Sequence, residues 1–132
     1  MKILIADDDA DDRTLASIAF NELNTEHELE FVTDGQELLD HLNSKVKNKK
    51  VLPDLILLDL NMPRKDGRVA LKEIKTSPTL RHLDVIIFST SASEDDKRNT
   101  LNTGAKNYFV KPSDFSNLLI IFRNICEELV GD

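Results

Sequence analysis

Apolar residues follow two rhythms along this chain. Short unbroken runs alternate with longer stretches in which apolar positions recur every three or four residues. The clearest runs are Ile3-Leu4-Ile5-Ala6, Leu55-Ile56-Leu57-Leu58 and Val85-Ile86-Ile87-Phe88, with Leu29-Glu30-Phe31-Val32 and Tyr108-Phe109-Val110 as weaker ones. A run of this kind, without polar alternation, reads as a strand covered on both faces. Helical spacing predicts helices between them. The first spans 11–23, behind an Asp9 cap, with Leu15, Ile18, Ala19 and Leu23 inward. A second follows the turn Thr33-Asp34-Gly35, with Leu38, Leu39, Leu42 and Val46 inward. A third runs over 68–76 and stops before Pro78. A fourth, over 94–102, starts at Ser93 and closes at Gly104. Its apolar stripe is thin, mainly Leu101, so a loosely held helix is expected. The last covers 114–130.

Five strands alternating with five helices imply βαβ crossovers and a parallel sheet covered on both sides. The expected fold is a flavodoxin-like α/β sandwich with strand order 2-1-3-4-5. No linker, repeat or low-complexity tract breaks the chain, so 1–132 is read as one domain.

Composition narrows the function classes. The net charge is −7 and the pI about 4.9, which disfavours a nucleic-acid partner, since phosphate-backbone binding depends on clustered Lys and Arg. Lys45 to Lys50 carries four lysines and reads as a solvated loop. No stretch approaches the ~18 apolar residues of a membrane span, and the N-terminal run is too short for a signal peptide. The cytoplasm is the expected location. The single cysteine, Cys126, allows no internal disulfide and reads as a buried, inert thiol.

The informative residues stand at the strand ends. The first strand ends in Asp7, Asp8 and Asp9, the third in Asp59, the fourth in Ser89 and Thr90, and the fifth in Lys111. In an open parallel sheet all of these lie on the carboxyl edge, where ligands bind. Carboxylates brought together repel one another, and a hard divalent cation such as Mg²⁺ removes that cost. Histidines and the cysteine lie elsewhere, which argues against zinc. A lysine and a hydroxyl beside a metal suit a phosphoryl group. No Gly-rich phosphate loop is present, so an attached or transferring phosphoryl is a better reading than a bound nucleotide.

These segments, together with Leu57-Leu58-Asp59-Leu60-Asn61-Met62-Pro63, Asp66-Gly67, Gly104-Ala105 and Tyr108-Phe109-Val110-Lys111-Pro112, resemble the CheY-like receiver domains of two-component response regulators. The resemblance covers nearly the whole chain, in order. It implies a stand-alone receiver without an output domain, similar to the partners of phytochrome-type histidine kinases. Asp59 would be the phosphoacceptor, Asp8 a direct Mg²⁺ ligand, Asp7 a ligand through water and Asn61 a ligand through its backbone carbonyl. Ser89 and Lys111 would contact the phosphoryl group, and Tyr108 would swing inward with Ser89. The resemblance also implies a cis bond between Lys111 and Pro112. Asp9 is an extra acid, read as a helix cap. The implied partners are a sensor histidine kinase or phosphotransfer protein and a downstream protein.

The last helix carries Leu118, Leu119, Ile121, Phe122, Ile125, Cys126, Leu129 and Val130, a face broader than one sheet contact needs, with Ile120 pointing away. A thick core accounts for it; a homodimer through this face is the alternative expectation.

Overall fold

The period-two pleat of three central strands sorts their side chains into two separate cores, one on each face of a sheet. A computed structural model describes residues 1–23 and 26–130, with side chains through residue 128. The elements run β1 (Lys2–Ala6), α1 (Ala10–Glu22), β2 (Glu28–Val32), α2 (Gly35–Lys47), β3 (Leu55–Leu58), α3 (Gly67–Thr76), β4 (Asp84–Ser89), α4 (Glu94–Thr103), β5 (Asn107–Val110) and α5 (Phe115–Val130). All strand pairs are parallel and the order is β2-β1-β3-β4-β5, as expected from the sequence.

Leu4, Ile56, Leu58, Val85 and Ile87 point to one face and meet Leu38 and Leu42 of α2 and Leu71 and Ile74 of α3. Ile3, Ile5, Leu55, Leu57 and Ile86 point to the other and meet α1 and α5. In that second core Phe122 is fully buried, stacked on Phe20 at 4.4 Å between centroids and tilted against Phe88 at 5.3 Å. Phe122→Ala should therefore lower unfolding free energy by about 3–5 kcal/mol, measured by urea denaturation.

Two helices differ from the sequence expectation. In α1 the buried residues are Ala16, Ala19 and Phe20, while Leu15 and Ile18 are exposed at 42% and 47%. The stripe through Phe20 wins because that ring has an aromatic partner on α5 and its small neighbours let the helix approach. In α4 Leu101 is 44% exposed and Thr100 is the buried residue, so this helix is held by polar contacts in place of an apolar stripe. Ser93 and Gly104 cap it as expected.

The wide apolar face of α5 goes mostly to the core. Leu118, Phe122 and Ile125 are buried, Leu119, Ile121 and Cys126 pack partly against them, and Ile120 is exposed. The side chains of Leu129 and Val130 lie outside the described residues. The width of this face does not by itself call for a second copy.

Candidate functional site at the carboxyl edge

β1 and β3 are neighbours, so their C-terminal acids come out of the sheet side by side. The backbone ladder continues into them: Asp59 N–H donates to the Ala6 carbonyl at 3.0 Å, and Asp7 N–H to the Val32 carbonyl at 3.0 Å. Asp7, Asp8 and Asp59 each offer a carboxylate oxygen within 4.8 Å of the others. Asp7 and Asp59 are buried, at 4% and 7% exposure, whereas Asp8 faces solvent. Asp9 stands apart as the α1 cap, its side chain accepting from Asp12 N–H at 2.9 Å.

Lys111 follows β5, two strands away from β3, and its ammonium reaches across the edge. Nζ donates to Asp7 Oδ2 at 2.7 Å, Asp12 Oδ2 at 2.8 Å and Asp59 Oδ2 at 3.0 Å. Burial alone would lower the lysine's pKa, but its hydrogen bonds to Asp12 and Asp7 outweigh this and raise it. Burial pushes the Asp7 carboxyl up, against the pull of Lys111. One ammonium faces three carboxylates here, and Asp8 adds a fourth. The excess of negative charge and the all-oxygen donor set fit a hard divalent cation held by Asp7, Asp8 and Asp59.

Asp12 belongs to this site, although the sequence presents it only as an acid in the first turn of α1. Its signal was available: helical Cβ atoms tilt toward the N-terminus, which aims a first-turn acid back over the end of the preceding strand. The bond between Lys111 and Pro112, expected to be cis, is trans. Trans is the lower form of an X–Pro bond by about 0.5–1 kcal/mol. The ammonium already reaches its carboxylates with the bond in that form.

The loop after β3 is fixed by close backbone approaches. Asn61 N–H donates to Asp59 Oδ1 at 3.3 Å. Gly67 N–H donates to the Leu60 carbonyl at 2.9 Å, and a Cβ at Gly67 would lie 2.2 Å from the Asp59 carbonyl oxygen. Only glycine lets α3 begin so close to the acid.

Ser89 ends β4 fully buried, its carbonyl accepting from Lys111 N–H at 2.8 Å. Its hydroxyl accepts from Ser91 N–H at 3.3 Å. Tyr108 packs partly against the core, and its hydroxyl donates to the Ser91 carbonyl at 2.7 Å. Beyond Ser91 lies an ion pair that sequence reading did not single out. Ser91 Oγ donates to Asp96 Oδ2 at 2.6 Å, and Arg68 grips both Asp96 oxygens at 2.8 Å. Arg68, then Ser91, hold the Asp96 carboxyl down at about 2, from an ordinary 3.8. A depressed acid contributes stability above its unfolded value and loses it as pH falls through its folded value. The stability gap between wild type and Asp96→Asn, measured by urea denaturation, should hold constant at neutral pH. It should close as pH falls from 3.8 toward about 2.

Comparison with known proteins agrees with this geometry. Residues 3–123 match the response regulator receiver domain. The chain is 33% identical to a probable methanogenesis regulatory protein, FilR2, of Methanothrix harundinacea, over 98% of this chain and 83% of that protein. It is 32% identical to the response regulator Rcp1 of Synechocystis, over 93% of this chain and 84% of that one. The crystal structure of the phosphorylated cyanobacterial phytochrome response regulator RcpA superposes with a TM-score of 0.87 at 38% identity, covering 96% of this chain and 91% of that one. A Mn²⁺-bound form of Rcp1 superposes with a TM-score of 0.83 at 30% identity, with the same coverage. The chain belongs to the response regulator receiver domains of two-component signalling systems. Among the described residues, no helix is long and apolar enough to cross a membrane.

Proposed function

We propose that this protein accepts a phosphoryl group on Asp59 from the phosphohistidine of a sensor histidine kinase or phosphotransfer protein, in a Mg²⁺-dependent reaction. The observation that carries this reading is the convergence of Asp7, Asp8 and Asp59 with the ammonium of Lys111. A carboxylate oxygen of Asp59 attacks the phosphorus in line. The P–N bond to the histidine breaks as the P–O bond forms, and the histidine departs as a neutral imidazole, keeping the proton already carried on its other ring nitrogen. Lys111, now on Asp59 Oδ2, carries one phosphoryl oxygen through the transfer. Asp8, Asp59 and the Asn61 carbonyl would hold Mg²⁺, with Asp7 acting through water; the ion neutralises charge on the transferring oxygens.

Two relatives support the chemistry: Rcp1 has been crystallised with Mn²⁺ and RcpA in phosphorylated form. A cavity of about 220 Å³ beside α1 and the start of α5, lined by Leu15, Ala16, Phe88 and Phe115, also touches Lys111. With Leu15 exposed at its rim, it offers a phosphohistidine-bearing partner an apolar approach to the acid. Ser89 would donate to the acyl phosphate and, with Tyr108, bias the surface of α4, β5 and α5 that a downstream protein reads.

Incubation with a small phosphodonor tests the reading. Intact mass should show one phosphoryl increment with Mg²⁺ and none when the divalent cation is chelated. An increment that survives chelation would overturn the metal requirement.

A further inference from the structure

Resting on the phosphoacceptor reading, we propose that Arg68 and Asp96 are positioning residues for the Ser89 hydroxyl: the ion pair between α3 and α4 fixes the loop that aims Ser89 at a phosphoryl group on Asp59. The connection is continuous. Arg68 stands in the first turn of α3, two residues after the Asp66 cap, and its Nη1 donates to Asp66 Oδ2 at 2.9 Å. Its Nε and Nη2 donate to the two oxygens of Asp96, each at 2.8 Å, a planar fork that allows one geometry. Asp96 accepts from Ser91 Oγ at 2.6 Å, and Ser91 Oγ in turn accepts from Ser93 N–H at 3.3 Å. With Ser91 held there, its N–H meets Ser89 Oγ at 3.3 Å and its carbonyl meets the Tyr108 hydroxyl at 2.7 Å.

The consequence for Ser89 follows from what a hydroxyl can do. It has one proton to donate and lone pairs that accept. Here a lone pair is engaged by Ser91 N–H, which orients the group and keeps the proton available for a phosphoryl oxygen. A donor aimed in advance binds its acceptor without a cost of ordering. The same ion pair explains how α4 stays docked with Leu101 in solvent: charged and polar side chains do what an apolar stripe does elsewhere. Asp96 is 16% exposed and Arg68 39%, so the pair is partly shielded from water but open enough to re-form if the loop moves.

The test uses beryllofluoride, a mimic of the aspartyl phosphate, titrated in the presence of Mg²⁺. Tyr108 is the chain's one tyrosine and there is no tryptophan, so its fluorescence reports the loop directly. Arg68→Gln and Asp96→Asn should each raise the beryllofluoride midpoint about tenfold, within the usual range of coupling between sites. The double variant should be no worse than either single one, because both remove the same contact. Arg68→Lys keeps the charge but not the fork and should recover only part of the affinity. Midpoints equal to wild type, even with a lowered melting temperature, would reduce the pair to a structural brace and overturn the proposal. Where a variant fails to fold, Ser91→Ala decides, since it leaves the Arg68–Asp96 pair in place and removes the hydroxyl that links it to the loop, together with that hydroxyl's contact to Ser93 N–H: a raised midpoint supports the proposal and an unchanged one overturns it. A wild type that gives no response to beryllofluoride would instead overturn the Asp59 reading itself, and this proposal with it.

Discussion

Asp59→Asn is expected to abolish phosphoryl uptake while leaving the fold intact. Only a carboxylate supplies both the nucleophilic oxygen and the negative charge that the cation and Lys111 require; an amide oxygen does neither at useful strength. Asparagine keeps the shape, so the buried position stays filled; its one amide oxygen can stay toward Lys111, and the contact with Asn61 N–H, which meets the other oxygen of Asp59, is given up. Removing the charge also relieves Asp7, whose carboxyl is raised first by burial and, to a smaller degree, by the charge of Asp59. Thermal stability should therefore be equal to wild type or higher. The measurement is intact mass after incubation with a small phosphodonor and Mg²⁺. The same increment in wild type and variant would move the acceptor to another residue.

Lys111→Met should show two separable losses. Methionine keeps the aliphatic length that packs beneath the edge but leaves Asp7, Asp12 and Asp59 without a shared cation. Removing one partner from a buried ion pair costs about 3–5 kcal/mol. Here the figure is an upper bound, because Asp12 is a third exposed and solvent screens it. Phosphorylation should slow by about 10²–10³-fold, the usual effect of losing one donor to developing charge. The two losses part on adding a divalent cation. Mg²⁺ bound among Asp7, Asp8 and Asp59 restores countercharge, so the melting temperature should recover. The rate should not, because the cation does not replace the donor on the phosphoryl oxygen. Rates that recover along with stability would assign Lys111 a purely structural part.

The sequence by itself determined the strands, their order along the chain and the acids, hydroxyl and lysine at their ends. Buried parallel strands must be apolar on both faces, and such runs stand out in any chain. The site residues were legible because each closes a strand, and strand ends in an α/β sheet share one edge. Side-chain orientation was less legible. In α1 both Leu15 and Phe20 fit a helical stripe, and only the stacking of Phe20 on Phe122 chose between them. The last helix has the same ambiguity, since an apolar face looks alike whether the core or a partner covers it.

What only the tertiary structure decided are the contacts between residues far apart in the chain. Lys111 reaching Asp12 and Arg68 gripping Asp96 join helices and strands that no local pattern connects. Arg68 lies in the first turn of α3, Asp96 in the first turn of α4 and Ser91 in the loop before it, and no local pattern links the three. Their pairing depends on how α3 and α4 pack over the sheet, which follows from the whole core and not from any segment of it. The trans bond before Pro112 belongs here as well, because the intrinsic balance between X–Pro forms is small enough for surrounding contacts to settle it.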